Sequence, residues 1–362
     1  MSVNETYQFY LLIITSSFII TLFSETKNRF LFSILIKNNK KVNINIISIM
    51  MKAAAFIILL IPLVNRTCGA DTYTYYRTYV SNNVKGLDFW FYLLCKVLHK
   101  LIPEAKIGLG IISFFTLLIV FIAFESVKKE IEIKYSFLAY YTSLYFYLYN
   151  YVRMMLAVSF IILGYSFIVK DKKKCAIVSM IVAACFHRSA ILVLAMYLVL
   201  INFVKYKKII ISSGIVGVII FVNNPSFFLS LISIERYSAH ISISVVQESS
   251  IGLGTFIRVL PIILILLYYS NHFKGNMMYN LLIVSTFANL AISYLGYYVA
   301  VASRLANVYF VFHLLYAVPW LLRQSIVQKD KYKIIVVFIF YCGLNYYLIS
   351  QNFEAMMIVP YE

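Results

Sequence analysis

The chain has 362 residues, of which 62% are hydrophobic and only 13% charged. That balance lies far outside the soluble range and reads as a protein that crosses a membrane many times, which excludes an ordinary cytosolic enzyme. A net charge of +18 would suggest nucleic acid in a soluble protein; here the positive-inside rule accounts for most of it, and no nucleic-acid partner is expected.

A spanning helix needs roughly 20 apolar residues, and the chain offers about twelve such segments. They fall at 7–24, 44–64, 107–124, 135–150, 153–169, 174–187, 189–204, 209–222, 255–270, 277–296, 304–322 and 334–350. The expected fold is therefore all-α, a single polytopic bundle over residues 1–362. The first segment lacks a basic leader and a small-residue cleavage site after Phe23, so it reads as an uncleaved span. With the N-terminus outside, the inner loops collect the lysines of 27–41, 128–134, 170–174, 205–208, 274 and 329–333. The outer side instead holds Arg66, Arg77, Arg153, Arg188, Arg236, Arg258 and Arg304.

Two outer segments are long enough for structure of their own. In the first, 65–106, residues 86–102 are amphipathic. Lys96, His99 and Lys100 share a polar face, and Phe89, Leu93, Leu94, Val97, Leu98 and Leu101 cover most of the rest. With Trp90 as an interface anchor, this reads as a helix lying on membrane lipid; the alternative is a misplaced span. Cys68 and Cys95 share this loop, as a disulfide or as two thiols. The second segment, 223–254, is either a functional lid or a passive connection.

Polar residues kept beside apolar segments are expensive and mark function. Arg66, Asp71 and Arg77 sit among tyrosines in NRTCGADTYTYYRTY (65–79), where Gly69 permits a tight turn. Arg153 stands between apolar runs in YNYVRMMLAVSF (149–160), and His187 and Arg188 interrupt ACFHRSAIL (184–192). Arg304 lies in ASRLANVYF (302–310), and Arg258 near the outer start of its span is a weaker member. Each cluster alone also suits a structural ion pair, a snorkelling side chain or a core histidine. Their common sidedness is the stronger signal. Guanidinium groups recognise phosphate as planar forks, so a cationic outer pocket suits an anionic lipid headgroup, pyrophosphate above all.

The 14 acidic residues form no DxD pair at an outer boundary, so arginines rather than a metal are expected to neutralise a leaving group. No nucleotide or cofactor motif is present, and no cofactor is expected.

These clusters, in this order, resemble the EpsG family of bacterial polysaccharide polymerases, a Wzy-like group. The matching pieces are Arg66 and Asp71 with the tyrosines that follow, VRMMLA at 152–157, FHRSA at 186–190, SRLANVYF at 303–310 and VPY at 359–361. The resemblance implies a GT-C-like helical architecture in the bacterial inner membrane, with the site on the extracytoplasmic side. It implies transfer of a growing glycan from undecaprenyl pyrophosphate to the non-reducing end of an incoming lipid-linked repeat unit. The chain-length regulator and the flippase of the same pathway would be partners. Carried over, Arg66, Arg153 and Arg304 hold the donor pyrophosphate, with Arg77, Arg188 and Arg258 as second choices. His187 binds phosphate or handles a proton, and Asp71 is the candidate general base.

Two other readings compete. A flippase of lipid-linked sugars would place its polar site near the bilayer midplane, whereas these residues lie at one face. An O-antigen ligase would share the pyrophosphate pocket and differ in acceptor.

Overall fold

The computed structural model describes residues 2–25, 31–36, 40–81, 88–199, 201, 212, 216, 253–273, 275–295, 308, 311–354 and 356–358. It is helical apart from one antiparallel hairpin, β1 (Leu31–Ile36) and β2 (Lys40–Asn45), paired from Leu31↔Asn45 to Ile36↔Lys40. The first half of the chain supplies α1 (Val3–Ser24), α2 (Ile46–Val64), α3 (Thr72–Val80), α4 (Phe89–Leu101), α5 (Ala105–Ser126), α6 (Ile133–Ser143), α7 (Tyr147–Asn150) and α8 (Val152–Val169). Then come α9 (Lys173–Phe186) and α10 (Arg188–Val199), whose first turn is 3-10. The remaining helices are α11 (Leu253–Tyr269), α12 (Met277–Leu295), α13 (Val318–Leu321) and α14 (Lys331–Ser350).

Among the described residues, five helical segments are long and apolar enough to cross a membrane: Val3–Ser24, Ile46–Val64, Ala105–Ser126, Val152–Val169 and Ser325–Ser350. Shorter apolar helices run over Arg188–Val199, Leu260–Tyr269 and Met277–Ser293. The segment expected at 209–222 and the loop 223–254 lie outside the described residues, apart from isolated helical positions at 212 and 216 and the last two loop residues, 253–254, which open α11.

The segment expected as a span over 135–150 is not one continuous helix. It breaks after Ser143 and resumes as the single turn α7. Thr142 and Ser143 turn their hydroxyls back onto the carbonyls of Leu138 and Ala139, a local competition that bends helices. Tyr145 then donates to the Leu59 carbonyl of α2 at 2.8 Å, a tertiary bond that holds the break in place. The tyrosines of this stretch are packing residues: Tyr140, Tyr141, Tyr145 and Tyr149 are fully buried. Elsewhere Tyr316 donates to Ile162 O at 2.7 Å and Tyr10 to Ile358 O at 2.6 Å. Buried phenols of this kind combine large apolar area with a satisfied polar tip.

Antiparallel packing of α2 with α5, and of α8 with α9, gives the bundle two chemically different ends. At one end Lys52, in the second turn of α2, pairs with Glu25 after α1 at 2.5 Å and with Glu125 in the last turn of α5. The lysine-rich turn between α8 and α9 lies at this end too. At a rise of about 1.5 Å per residue, the 18 residues of α8 carry the chain about 27 Å to the other end. There the end of α2, the loop to α3, the starts of α4 and α8 and the end of α9 converge.

Candidate functional site

The chain leaves α2 and immediately buries Arg66, which is 1% exposed. Its Nη1 donates to the Leu148 carbonyl at 2.6 Å, and its own carbonyl accepts from the Tyr76 hydroxyl at 3.0 Å. Nη2 is buried and has no hydrogen-bond partner among the described residues. Burial pushes the guanidinium below its usual pKa, and only nearby tyrosines and Cys68 oppose that shift. An arginine stays charged in proteins, and a buried cation without a counter-charge is costly.

The turn that follows is as tight as the sequence suggested. Gly69 has φ +114°, and a Cβ there would sit 2.6 Å from Thr72 Oγ1 and 2.7 Å from the Tyr149 carbonyl. Its amide donates to Met357 O at 2.7 Å, and the Ala70 amide to Met356 O at 2.9 Å. The end of the chain is thereby tied beneath the Arg66 loop. Asp71 opens α3, its amide donating to Asn150 Oδ1 at 2.7 Å, while its carboxylate does not cap the helix.

A second group gathers on Asp88, a residue the sequence reading did not single out. Asp88 precedes α4, is 7% exposed, and also leaves its helix uncapped. Its Oδ2 lies 3.4 Å from Arg153 Nη1 and 3.1 Å from His187 Nδ1, and its Oδ1 lies 3.4 Å from Arg188 Nε. Burial alone would raise the carboxyl pKa. The hydrogen bond with His187 and the charges of Arg153, His187 and Arg188 outweigh it and hold the group below its ordinary range. The sequence offered one faint cue: Asp88 is the lone acid between Asp71 and Glu104, while its three partners are remote in the chain.

Tyr75 joins the two groups. It is half-buried on α3, and its hydroxyl feels the charges of Arg153, Asp71 and Arg66. Burial pushes it up to about 12, with the Arg153 charge and backbone amide opposing.

Of the residues expected at the site, Arg66, Asp71, Arg153, His187 and Arg188 thus share one end of the bundle. Arg188 is 84% exposed at the rim. Arg77 lies on the exposed face of α3, away from Asp88. The side chain of Arg258, on α11, and the whole of Arg304 lie outside the described residues. Cys95 is a free, buried thiol, so the Cys68–Cys95 disulfide does not form. Among the described residues no three His, Cys, Asp or Glu side chains converge. At this end Arg66, Arg153 and Arg188 bring guanidinium groups together with the imidazole of His187.

A model of the EpsG family matches residues 47–362, from the start of α2 to the end of the chain. The chain belongs to the EpsG family. Membership in the EpsG family supports a Wzy-like polysaccharide polymerase in general terms, and the apolar helices support a membrane protein. The matched region contains Arg66, Asp88, Arg153, His187 and Arg188 and leaves out α1 and the hairpin. No curated protein and no solved structure matches the chain.

Proposed function

We propose that this EpsG-family chain is a glycan polymerase working at the outer face of the bacterial cytoplasmic membrane. It transfers a growing glycan from undecaprenyl pyrophosphate to the non-reducing end of an incoming lipid-linked repeat unit. The observation that carries this reading is Arg66, buried with no carboxylate partner among the described residues, at the end of the bundle where Arg153, His187 and Arg188 gather. A diphosphate supplies the missing counter-charge. Lysine clustering at the opposite end supports the outward orientation.

In this reading Arg66, Arg153 and Arg304 bind the donor diphosphate and stabilise the charge that grows on it as the glycosidic bond breaks. Arg188 and Arg258 assist at the rim, and Arg77 guides the glycan from the face of α3. Asp71 and His187 are the candidates for proton handling at the acceptor. About twelve spans and a GT-C-like arrangement belong to the same proposal, as do a chain-length regulator and a flippase as partners.

The test is reconstitution in vesicles with a lipid-linked repeat unit. Ladders of products support the polymerase. Label that crosses the bilayer without ladders selects a flippase. A single addition to a different lipid-anchored acceptor selects a ligase. Arg153→Ala with normal membrane insertion is expected to lose the ladder, and a retained ladder removes Arg153 from the clamp.

A further inference from the structure

The Asp88–His187 contact has the geometry of an oriented base. His187 sits between two helices with its backbone fixed at both sides. Its amide donates to Ala183 O at 2.9 Å, closing α9, and its carbonyl accepts from the Ala190 amide at 2.9 Å, opening α10. The ring is largely buried, and its Nδ1 faces Asp88 Oδ2 at 3.1 Å. An ionised carboxylate only accepts hydrogen bonds, so Nδ1 carries the proton and Nε2 is left as the basic nitrogen. Among the described residues, the charged groups around the ring include Asp88 at the start of α4, Arg153 on α8 and Arg188 in the adjoining turn, with Tyr75 of α3 beyond Arg153. Asp88 itself is a poor proton acceptor, since the guanidinium groups of Arg153 and Arg188 and the imidazole of His187 surround its carboxylate.

We propose that Asp88 is a positioning residue that fixes the tautomer of His187, so that His187 Nε2 takes the proton of the acceptor sugar hydroxyl. The inference rests on the polymerase reading and deepens it. The acceptor O–H bond breaks, its proton moving to Nε2, and the oxygen forms a bond to the anomeric carbon of the donor. The bond from that carbon to the diphosphate oxygen breaks, and its electron pair leaves on the diphosphate, which the arginines neutralise. The imidazolium is stabilised by Asp88 and returns its proton to solvent. The same division of labour between an orienting carboxylate and a basic imidazole operates in hydrolytic triads.

The experiment uses the full chain in vesicles with a lipid-linked repeat unit, measuring kcat and acceptor KM from pH 5 to 9. Asp88→Asn is expected to lower kcat by about 100-fold or more, the scale of general-base catalysis, with KM within about threefold. Its acid limb should move to lower pH, because the imidazolium has lost its counter-charge. Asp88→Glu should recover part of kcat, and Asp88→Asn added to His187→Gln should cost little more than His187→Gln alone. If Asp88→Asn does not insert, His187→Gln decides: its acid limb must disappear, and a retained limb overturns the proposal. Asp88→Asn with kcat within about threefold of the wild type also overturns it, as does a change confined to KM. No ladders from the wild-type chain would instead sink the polymerase reading itself.

Discussion

Arg66 and Leu148 meet through a single hydrogen bond of 2.6 Å, from a fully buried guanidinium to a carbonyl at the helix break before α8. Among the described residues no carboxylate balances that charge, so Arg66 is retained at a cost to folding. Replacing a buried ionic group by an apolar one of similar volume is often neutral or stabilising. Arg66→Met is therefore expected to keep or raise the thermal unfolding temperature in detergent while lowering polymerisation by about 100- to 1,000-fold, the loss typical of one transition-state donor. A marked drop in thermal stability with intact polymerisation would make Arg66 a purely structural residue.

Gly69 tests whether the turn beneath that arginine must be so tight. Any L side chain there meets both a positive φ and two atoms closer than a Cβ tolerates. One of them is the backbone carbonyl of Tyr149, which cannot swing aside. Gly69→Ala should cost about 1–3 kcal/mol, the scale of a strained backbone position, seen as a lower unfolding temperature. Activity should fall with it, since Arg66 and Asp71 flank the turn.

Asp88 gives a pH dependence whose sign follows from its environment. The folded carboxyl is held below its ordinary 3.8, so folding favours the ionised form. That contribution is fully present above the unfolded value and is lost as pH falls through the lower folded value. The stability gap between wild type and Asp88→Asn should narrow as pH falls below about 4, where the wild-type carboxyl protonates. A gap that still widens below about pH 4 would contradict the contacts of Asp88 with Arg153, His187 and Arg188.

The helical character, the lone arginines and the amphipathic stretch before Ile102 were legible because each depends on local composition and period. Asp88 was not, because its importance comes from three partners 65 to 100 residues away in the chain. The break at Ser143 was hidden for a similar reason. Residues 135–150 are apolar enough to span, but the bond from Tyr145 to Leu59 settles the path of the chain. Arg77 shares its tyrosine-rich segment with Arg66 and ranked behind it as a second choice. Only the register of α3 turns one outward, while the exit from α2 buries the other.

The amphipathic helix α4 carries the last prediction, because it begins at Asp88. Phe89, Leu93, Val97 and Leu101 recur every fourth residue and are exposed, with Trp90 beside them. Lys96 and Lys100 flank that stripe, whereas Phe91 and Cys95 face the bundle. Such a helix gains from laying its apolar stripe in the headgroup boundary, with its lysines turned toward anionic lipid. The chain has 2 tryptophans, Trp90 and the buried Trp320, so Trp320→Phe leaves one reporter. In vesicles, Trp90 of that variant should emit at short wavelength and be quenched most by lipids brominated near the top of the acyl chain. Leu93→Glu together with Val97→Glu should shift its emission to the red. If α4 sets the position of Asp88, the same pair should also lower kcat, while quenching from the bilayer centre would make α4 a span instead.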